Sequence, residues 1–150
     1  MLLAHITDLH YPVYTAFRVK DLFSKRITGG ANLLFSSRRR FRPHYLPLLL
    51  KNLKRLGVDH VLVTGDCVNL GYPEEFQAVS ATFEECGFGP QELTCVPGNH
   101  DVYLPAALKE GHFWKHMGAY AVVDAPTQYP FVRDFEDFIV IGLSSAIPSG

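Results

Sequence analysis

The sequence predicts an α/β fold in which helices cover a parallel sheet. Two patterns indicate this class. Short apolar segments rich in β-branched residues alternate with longer segments in which leucine or phenylalanine recurs every three or four positions, as strands alternate with amphipathic helices in α/β proteins. Each of the first three apolar segments also ends in a cluster of polar residues, which is typical of the strand ends where such sheets bind ligands.

A basic segment separates the first predicted strand from the first predicted covering helix. The strand covers residues 2–7, and residues 17–42 carry eight Lys or Arg residues against one Asp. Apolar residues on both sides of Gly29 and Gly30 predict two short amphipathic helices. They form either a solvated basic hairpin packed on the domain, or a basic and aromatic surface that recruits an anionic substrate, anionic lipid or a membrane surface. Nucleic acid is disfavoured as a partner, because no recognition motif accompanies the basic residues.

The middle of the chain predicts two helices and two further strands. One helix begins at Pro43, carries leucines at three- and four-residue steps and ends at Gly57. A strand at residues 60–64, a helix at residues 73–87 and a strand at residues 93–96 follow. Because strands separated by helices are usually parallel, we expect the carboxyl ends of all three strands at one edge of one sheet.

The last third of the chain predicts a helix and a hairpin. The helix covers residues 105–117, in which His112 and His116 have the spacing of a helical metal pair, but their charged neighbours favour a solvated face. Residues 129–132 and 138–143 are predicted to pair as strands, the second of them buried. The five residues between them, four of which are charged, are predicted to form the connection.

Composition indicates one soluble globular domain. The 150 residues are 47% hydrophobic and 19% charged, enough apolar residues to bury a core. Three cysteines without CxxC spacing indicate neither a disulfide framework nor a thiolate zinc site, and they favour a reducing cytoplasm. No secretory segment is indicated, and the apolar runs are far shorter than the ~20 residues of a membrane span. We therefore expect a cytoplasmic protein, peripheral to a membrane if residues 17–42 bind lipid.

The polar clusters after the three strands contain metal-binding side chains. Asp8 and His10 follow the first strand, Asp66 follows the second, and Asn99 and His100 follow the third. Imidazole, carboxylate and amide ligands together suit Mn, Fe or Zn better than Ca, and a carboxylate can bridge two cations. Taken alone, Asp8 and Asp66 are better explained as helix N-caps, Asn99 as a turn residue and His10 as a hydrogen-bonded polar histidine. Together they predict a dinuclear metal site.

Three motifs, in this order, resemble those of the calcineurin-like metallophosphoesterases, in particular bacterial members. They are DxH at residues 8–10, GDxxN at residues 65–69 and GNHD at residues 98–101. The resemblance implies a sandwich of two mixed β-sheets flanked by helices. It also implies a phosphate-ester substrate and two metal ions.

By this resemblance, Asp8 and His10 would bind the first metal ion, Asp66 would bridge both ions, and Asn99 would bind the second. His100 would contact the phosphate and protonate the leaving group while a metal-bridging hydroxide attacks phosphorus. The expected catalytic residues are His100 and Asn69, whose amide would orient His100.

Two features depart from the family pattern. Many members have Asp where this chain has Asn69, and an amide would orient His100 while holding its proton less strongly. Two later histidine motifs, which supply three more ligands, have no counterpart after Asp101. We therefore expect residues 1–150 to be the N-terminal part of one domain. Alone, this part is expected to be inactive and to associate with a second copy or with the missing C-terminal half.

The predicted function is metal-dependent hydrolysis of a phosphomonoester or phosphodiester. The basic segment favours an amphiphilic or diester substrate, such as a nucleotide or lipid pyrophosphate or a cyclic nucleotide. The alternative is a binding or scaffold protein that has the same fold without the chemistry, or a fragment without turnover.

Overall fold

The computed structural model describes residues 1–13, 43–102, 105–121 and 129–147. The strands in these ranges are β1 (Leu3–Ile6), β2 (His60–Thr64), β3 (Leu93–Val96), β4 (Phe131–Phe135) and β5 (Phe138–Gly142). The helices are α1 (Tyr45–Arg55), α2 (Pro73–Glu85), α3 (Pro105–Glu110) and α4 (His112–Ala121). The predicted basic helical insertion at residues 17–42 lies outside the described residues. None of the described helices is long and apolar enough to cross a membrane.

The first three strands form a parallel sheet in the order β1-β2-β3. Ala4 lies opposite Val61, which in turn lies opposite Leu93. The strands β4 and β5 form a separate antiparallel hairpin, with Arg133 opposite Val140. The mixed α/β class is therefore confirmed, and so is the parallel arrangement that brings three strand ends to one edge.

The helices form the core against one face of the parallel sheet. Leu50 of α1, Phe76 of α2 and Met117 of α4 are fully buried with Val61 and Leu93 in one cluster. Burying one such side chain stabilises the fold by about 1.5–3 kcal/mol. This packed face fixes the positions of the strand ends that carry the polar clusters.

The predicted third helix is two helices, because the chain breaks at Gly111. Gly111 has φ +65°, which ends α3 before α4 begins. The prediction that His112 lies on a solvated face is wrong. Its ring is buried, with Nδ1 3.0 Å from the Gly71 carbonyl and Nε2 2.8 Å from a carboxylate oxygen of Glu110. His112 thus links α4 to the loop before α2.

The predicted connection in the hairpin is also wrong. The strand β4 continues through Arg133 to Phe135, and residues 136 and 137 make the turn. Arg133 is buried and donates to the carbonyl oxygens of Pro90, Leu93 and Tyr120 and to the hydroxyl of Thr94. A guanidinium has five N–H donors. Hydrogen bonds from these donors to the four acceptors offset the cost of removing the charged group from water.

The second strand of the hairpin is not buried as predicted. Its side chains alternate between the two faces, and Ile139 and Ile141 are 60% and 64% exposed. Val132, which lies opposite Ile141, is exposed on the same face. Association through an apolar surface, expected from the sequence, stays a prediction.

Candidate metal centre

The loops that follow β1, β2 and β3 meet at one edge of the sheet. His10 Nε2 lies 3.6 Å from a carboxylate oxygen of Asp8 and 3.8 Å from one of Asp66. The rings of His10 and His100 are edge to face, with centroids 4.7 Å apart. One ligand atom each from His10, Asp66 and His100 lies within 4.8 Å of the other two. These residues therefore form one cluster, although His10 and His100 are 90 positions apart in the chain.

A left-handed backbone turns three of the site residues out of their strands. Asp8, His10 and Asp66 have φ of 56°, 43° and 49°, and they are the non-glycine residues with positive φ in the described chain. Such a conformation costs roughly 1–2 kcal/mol per residue, although Asp and His adopt it more readily than most residues. Two main-chain bonds hold it: Asp8 N–H donates to Gly65 O at 3.2 Å, and His10 N–H donates to Asp66 O at 2.8 Å. Strain of this kind is typical of functional sites.

Two glycines allow the loops after β2 and β3 to touch. A Cβ atom on Gly98 would overlap the backbone nitrogen and carboxylate of Asp66. A Cβ atom on Gly65, whose φ is +99°, would lie 2.9 Å from Gly98 Cα. The glycines that precede Asp66 and Asn99 in the sequence are therefore required for the close approach of the two loops.

The carboxylate of Asp66 is held by the loop that carries His100. Its Oδ1 accepts a hydrogen bond from the His100 backbone N–H at 2.9 Å, and its Oδ2 lies on the side of His10. The two oxygens of Asp66 thus face different partners. The hydrogen bond to Oδ1 fixes the carboxylate with Oδ2 directed to the side of His10.

The imidazole of His100 is oriented by the main chain at position 69. Nδ1 lies 2.7 Å from the carbonyl oxygen of Asn69. A carbonyl can only accept, so Nδ1 carries the hydrogen, and metal binding or proton transfer by His100 would use Nε2. The sequence predicted orientation by the Asn69 side chain. The contact instead involves the backbone, and a role of the Asn69 amide stays a prediction.

Asp101 joins the same loops, although the sequence analysis gave it no role. Its carboxylate is buried and accepts from the backbone N–H groups of Cys67 at 3.2 Å, Val68 at 2.9 Å and Gly98 at 2.8 Å. Burial raises the pKa of Asp101 to about 6, against the lowering effect of these hydrogen bonds. Its place in the GNHD motif was the signal that could have identified it.

A family model of calcineurin-like phosphoesterases matches residues 1–145 of the chain. The chain belongs to the calcineurin-like phosphoesterase family. None of the curated proteins compared with it matches. As a member of this family, the protein is in general a metal-dependent phosphoesterase, and the ligand atoms of His10, Asp66 and His100 lie close enough together for a metal ion to bind among them.

The side chains of this calcineurin-like phosphoesterase fit a metal ion. The imidazole of His10 and the carboxylates of Asp8 and Asp66 supply mixed nitrogen and oxygen donors, the set preferred by Mn, Fe and Zn. Burial, and next the neighbouring His100, lower the pKa of His10. The neutral imidazole favoured by this shift is the form that binds metals.

The remaining predicted ligands lie at the rim of the site. Asp8 and Asn99 are exposed and line a cleft of about 670 Å³ together with Asp66. The opposite side of this cleft is formed by β5 and the residues after it, including Leu143 and Ser144. Asp8 contacts His10, whereas Asn99 borders the cleft. The assignment of a role to each ligand stays a prediction.

Proposed function

We propose that the protein hydrolyses a phosphomonoester or phosphodiester at a dinuclear metal centre. Asp8 and His10 would bind one ion, Asp66 would bridge, and Asn99 would bind the second. The observation that carries the proposal is the convergence of His10, Asp66 and His100 within 4.8 Å at the ends of parallel strands. An acid that can transfer protons thus lies beside the ligands of the proposed centre.

Bound metal ions would lower the pKa of a water molecule and neutralise charge on the phosphate. The chain's own residues supply the remaining functions. The bond from Nδ1 of His100 to Asn69 O fixes the ring, so that Nε2 can deliver a proton to the leaving-group oxygen. The His100 backbone N–H holds Asp66 at the same time, which couples the position of the acid to that of the bridging ligand.

We further propose that residues 17–42 contribute to substrate recruitment. Their eight Lys or Arg residues would attract an anionic substrate or an anionic lipid surface. This favours an amphiphilic or diester substrate over a phosphoprotein. In the sequence, the segment lies between the DxH motif and the first covering helix.

Metal removal and replacement test the proposed function. The purified protein is treated with a chelator and then supplied separately with Mn²⁺, Fe²⁺ or Zn²⁺. Hydrolysis of p-nitrophenyl phosphate and of bis(p-nitrophenyl) phosphate is measured at each stage. We expect activity on at least one ester to disappear with the metal and to return with one of the ions. Metal binding without hydrolysis of either ester would contradict the proposal and would support the binding or scaffold function instead.

A further inference from the structure

A small apolar recess adjoins the cleft that Asp8, Asp66 and Asn99 line, which is called the metal cleft below. Its volume is about 170 Å³, and its walls include Pro97, Val102 and residues of α3 and α4. Leu108 of α3 is 50% exposed and contributes to the lining. Because a large apolar side chain is left half-exposed here, an apolar group in the recess would remove additional apolar surface from water.

The recess and the metal cleft share part of their walls. Pro97, Ser144 and Ala146 line both, and the cleft also contains Asp66 and Asn99. Pro97 immediately precedes the GNHD motif. A molecule with its phosphate at the metal site could therefore place a substituent in the recess without crossing the core.

Aromatic rings give the recess a defined shape. The rings of Trp114 and Tyr129 have centroids 5.2 Å apart, and Phe113 meets Trp114 edge to face at 5.5 Å. These three residues all line the recess. Aromatic pairs in such arrangements stabilise one another by more than their area burial alone.

The volume limits what can bind. An apolar cavity of about 150 Å³ is large enough to bind benzene, so a recess of about 170 Å³ accepts one six-membered ring or a short branched alkyl group. A fused ring system or a long acyl chain would extend past Leu108 into solvent.

We propose that this recess binds an apolar substituent of the phosphate ester, of about the size of one six-membered ring. The proposal rests on the proposed phosphoesterase function, because it assumes that phosphate is bound at the adjoining metal cleft. It makes Leu108 and Trp114 residues that determine substrate specificity.

Binding of two phosphonates to the metal-loaded protein tests the proposal without turnover. Phenylphosphonate and methylphosphonate have the same anionic group, and they differ in the substituent that would enter the recess. We expect phenylphosphonate to bind about tenfold to a hundredfold more tightly, as measured by titration calorimetry, because a phenyl ring would be buried. Leu108→Trp should fill the recess and bring the ratio of the two affinities close to one, with methylphosphonate affinity unchanged.

A matched variant outside the recess serves as the control. Leu48→Trp, at an exposed leucine of α1, should preserve the preference for phenylphosphonate. Equal affinities in the wild-type protein would overturn the recess proposal and leave the metal site intact. Failure of both phosphonates to bind would instead overturn the proposed function and, with it, this inference. Leu108 is half-exposed, so its variants are expected to fold, which thermal unfolding would check.

Discussion

The main-chain carbonyl of Asn69 accepts a hydrogen bond from Nδ1 of His100, with 2.7 Å between the two atoms. This bond connects the loop after β2 to the loop after β3. It orients the imidazole through the backbone, so any side chain at position 69 that preserves the loop would preserve the contact. Asp66, the proposed bridging ligand, and His100, the proposed acid, are thereby held by the same pair of loops.

His100→Ala is expected to reduce kcat far more for esters with poor leaving groups than for activated aryl esters. The difference should be about 100-fold or more, because a good leaving group departs without a proton. The measurement compares kcat for phenyl and p-nitrophenyl phosphate esters in both proteins. His44→Ala, at an exposed histidine outside the site, is the matched control and should leave the comparison near that of the wild type. Equal loss on both esters, together with loss of bound metal, would identify His100 as a ligand.

Asp66→Ala is expected to abolish phosphoesterase activity and to reduce the amount of bound metal while the protein stays folded. The reason is that its two carboxylate oxygens face different partners at the site. Hydrolysis of a chromogenic phosphodiester, elemental analysis and circular dichroism are measured together. Asp137 is exposed, and Asp137→Ala is the matched control. It should keep the wild-type activity and the wild-type amount of bound metal. A wild-type kcat in Asp66→Ala would refute the assignment.

Glu75 is expected to make stability depend on pH. Its side chain is buried at the start of α2, where one oxygen accepts from the backbone N–H groups of Leu70 at 3.0 Å and Tyr72 at 3.1 Å. Burial raises its pKa from 4.5 to about 7. A raised pKa in the folded state means that the native protein favours the protonated acid. Its contribution to stability is therefore complete below pH 4.5 and is lost as the pH rises to about 7.

Glu75→Gln removes this titration and should flatten the pH dependence of stability. Relative to the variant, the wild-type protein should lose on the order of 3 kcal/mol of unfolding free energy between pH 4.5 and 7. Urea unfolding at several pH values measures the difference. Glu84 lies on the exposed face of the same helix. The unfolding free energy of Glu84→Gln should therefore change with pH as that of the wild type does. If the unfolding free energies of Glu75→Gln and the wild type change with pH in the same way, Glu75 does not cause the pH dependence of stability.

Arg133→Met is expected to destabilise the protein by at least about 2 kcal/mol, because buried carbonyl oxygens would lose their donor. The affected acceptors include Leu93 O and Tyr120 O, 2.8 and 3.0 Å from the guanidinium. Urea unfolding compares this variant with Arg55→Met, at the exposed end of α1, which should change stability by less than about 1 kcal/mol. Similar small changes in both variants would contradict a structural role for the buried guanidinium.

Much of the fold was predictable because its signals are local. The strands β2 and β3 are short apolar segments whose ends are set by the next few residues, such as Pro97 after β3. The same local pattern predicted which polar residues would meet, since parallel strands put their carboxyl ends together. His10, Asp66 and His100 could therefore be grouped from the sequence alone.

What the sequence determined by itself was thus the alternation of strands and helices and the identity of the residues at the strand ends. Only the tertiary structure decided which distant groups form hydrogen bonds with the other polar residues. Arg133 is buried because it donates hydrogen bonds to carbonyl oxygens up to 43 positions earlier. His112 is buried because its Nδ1 forms a hydrogen bond with the carbonyl oxygen of Gly71, 41 positions earlier. Local sequence favoured solvent for both residues. A charged or polar side chain can leave water only when distant groups form hydrogen bonds with it, and the folded chain alone brings those groups together.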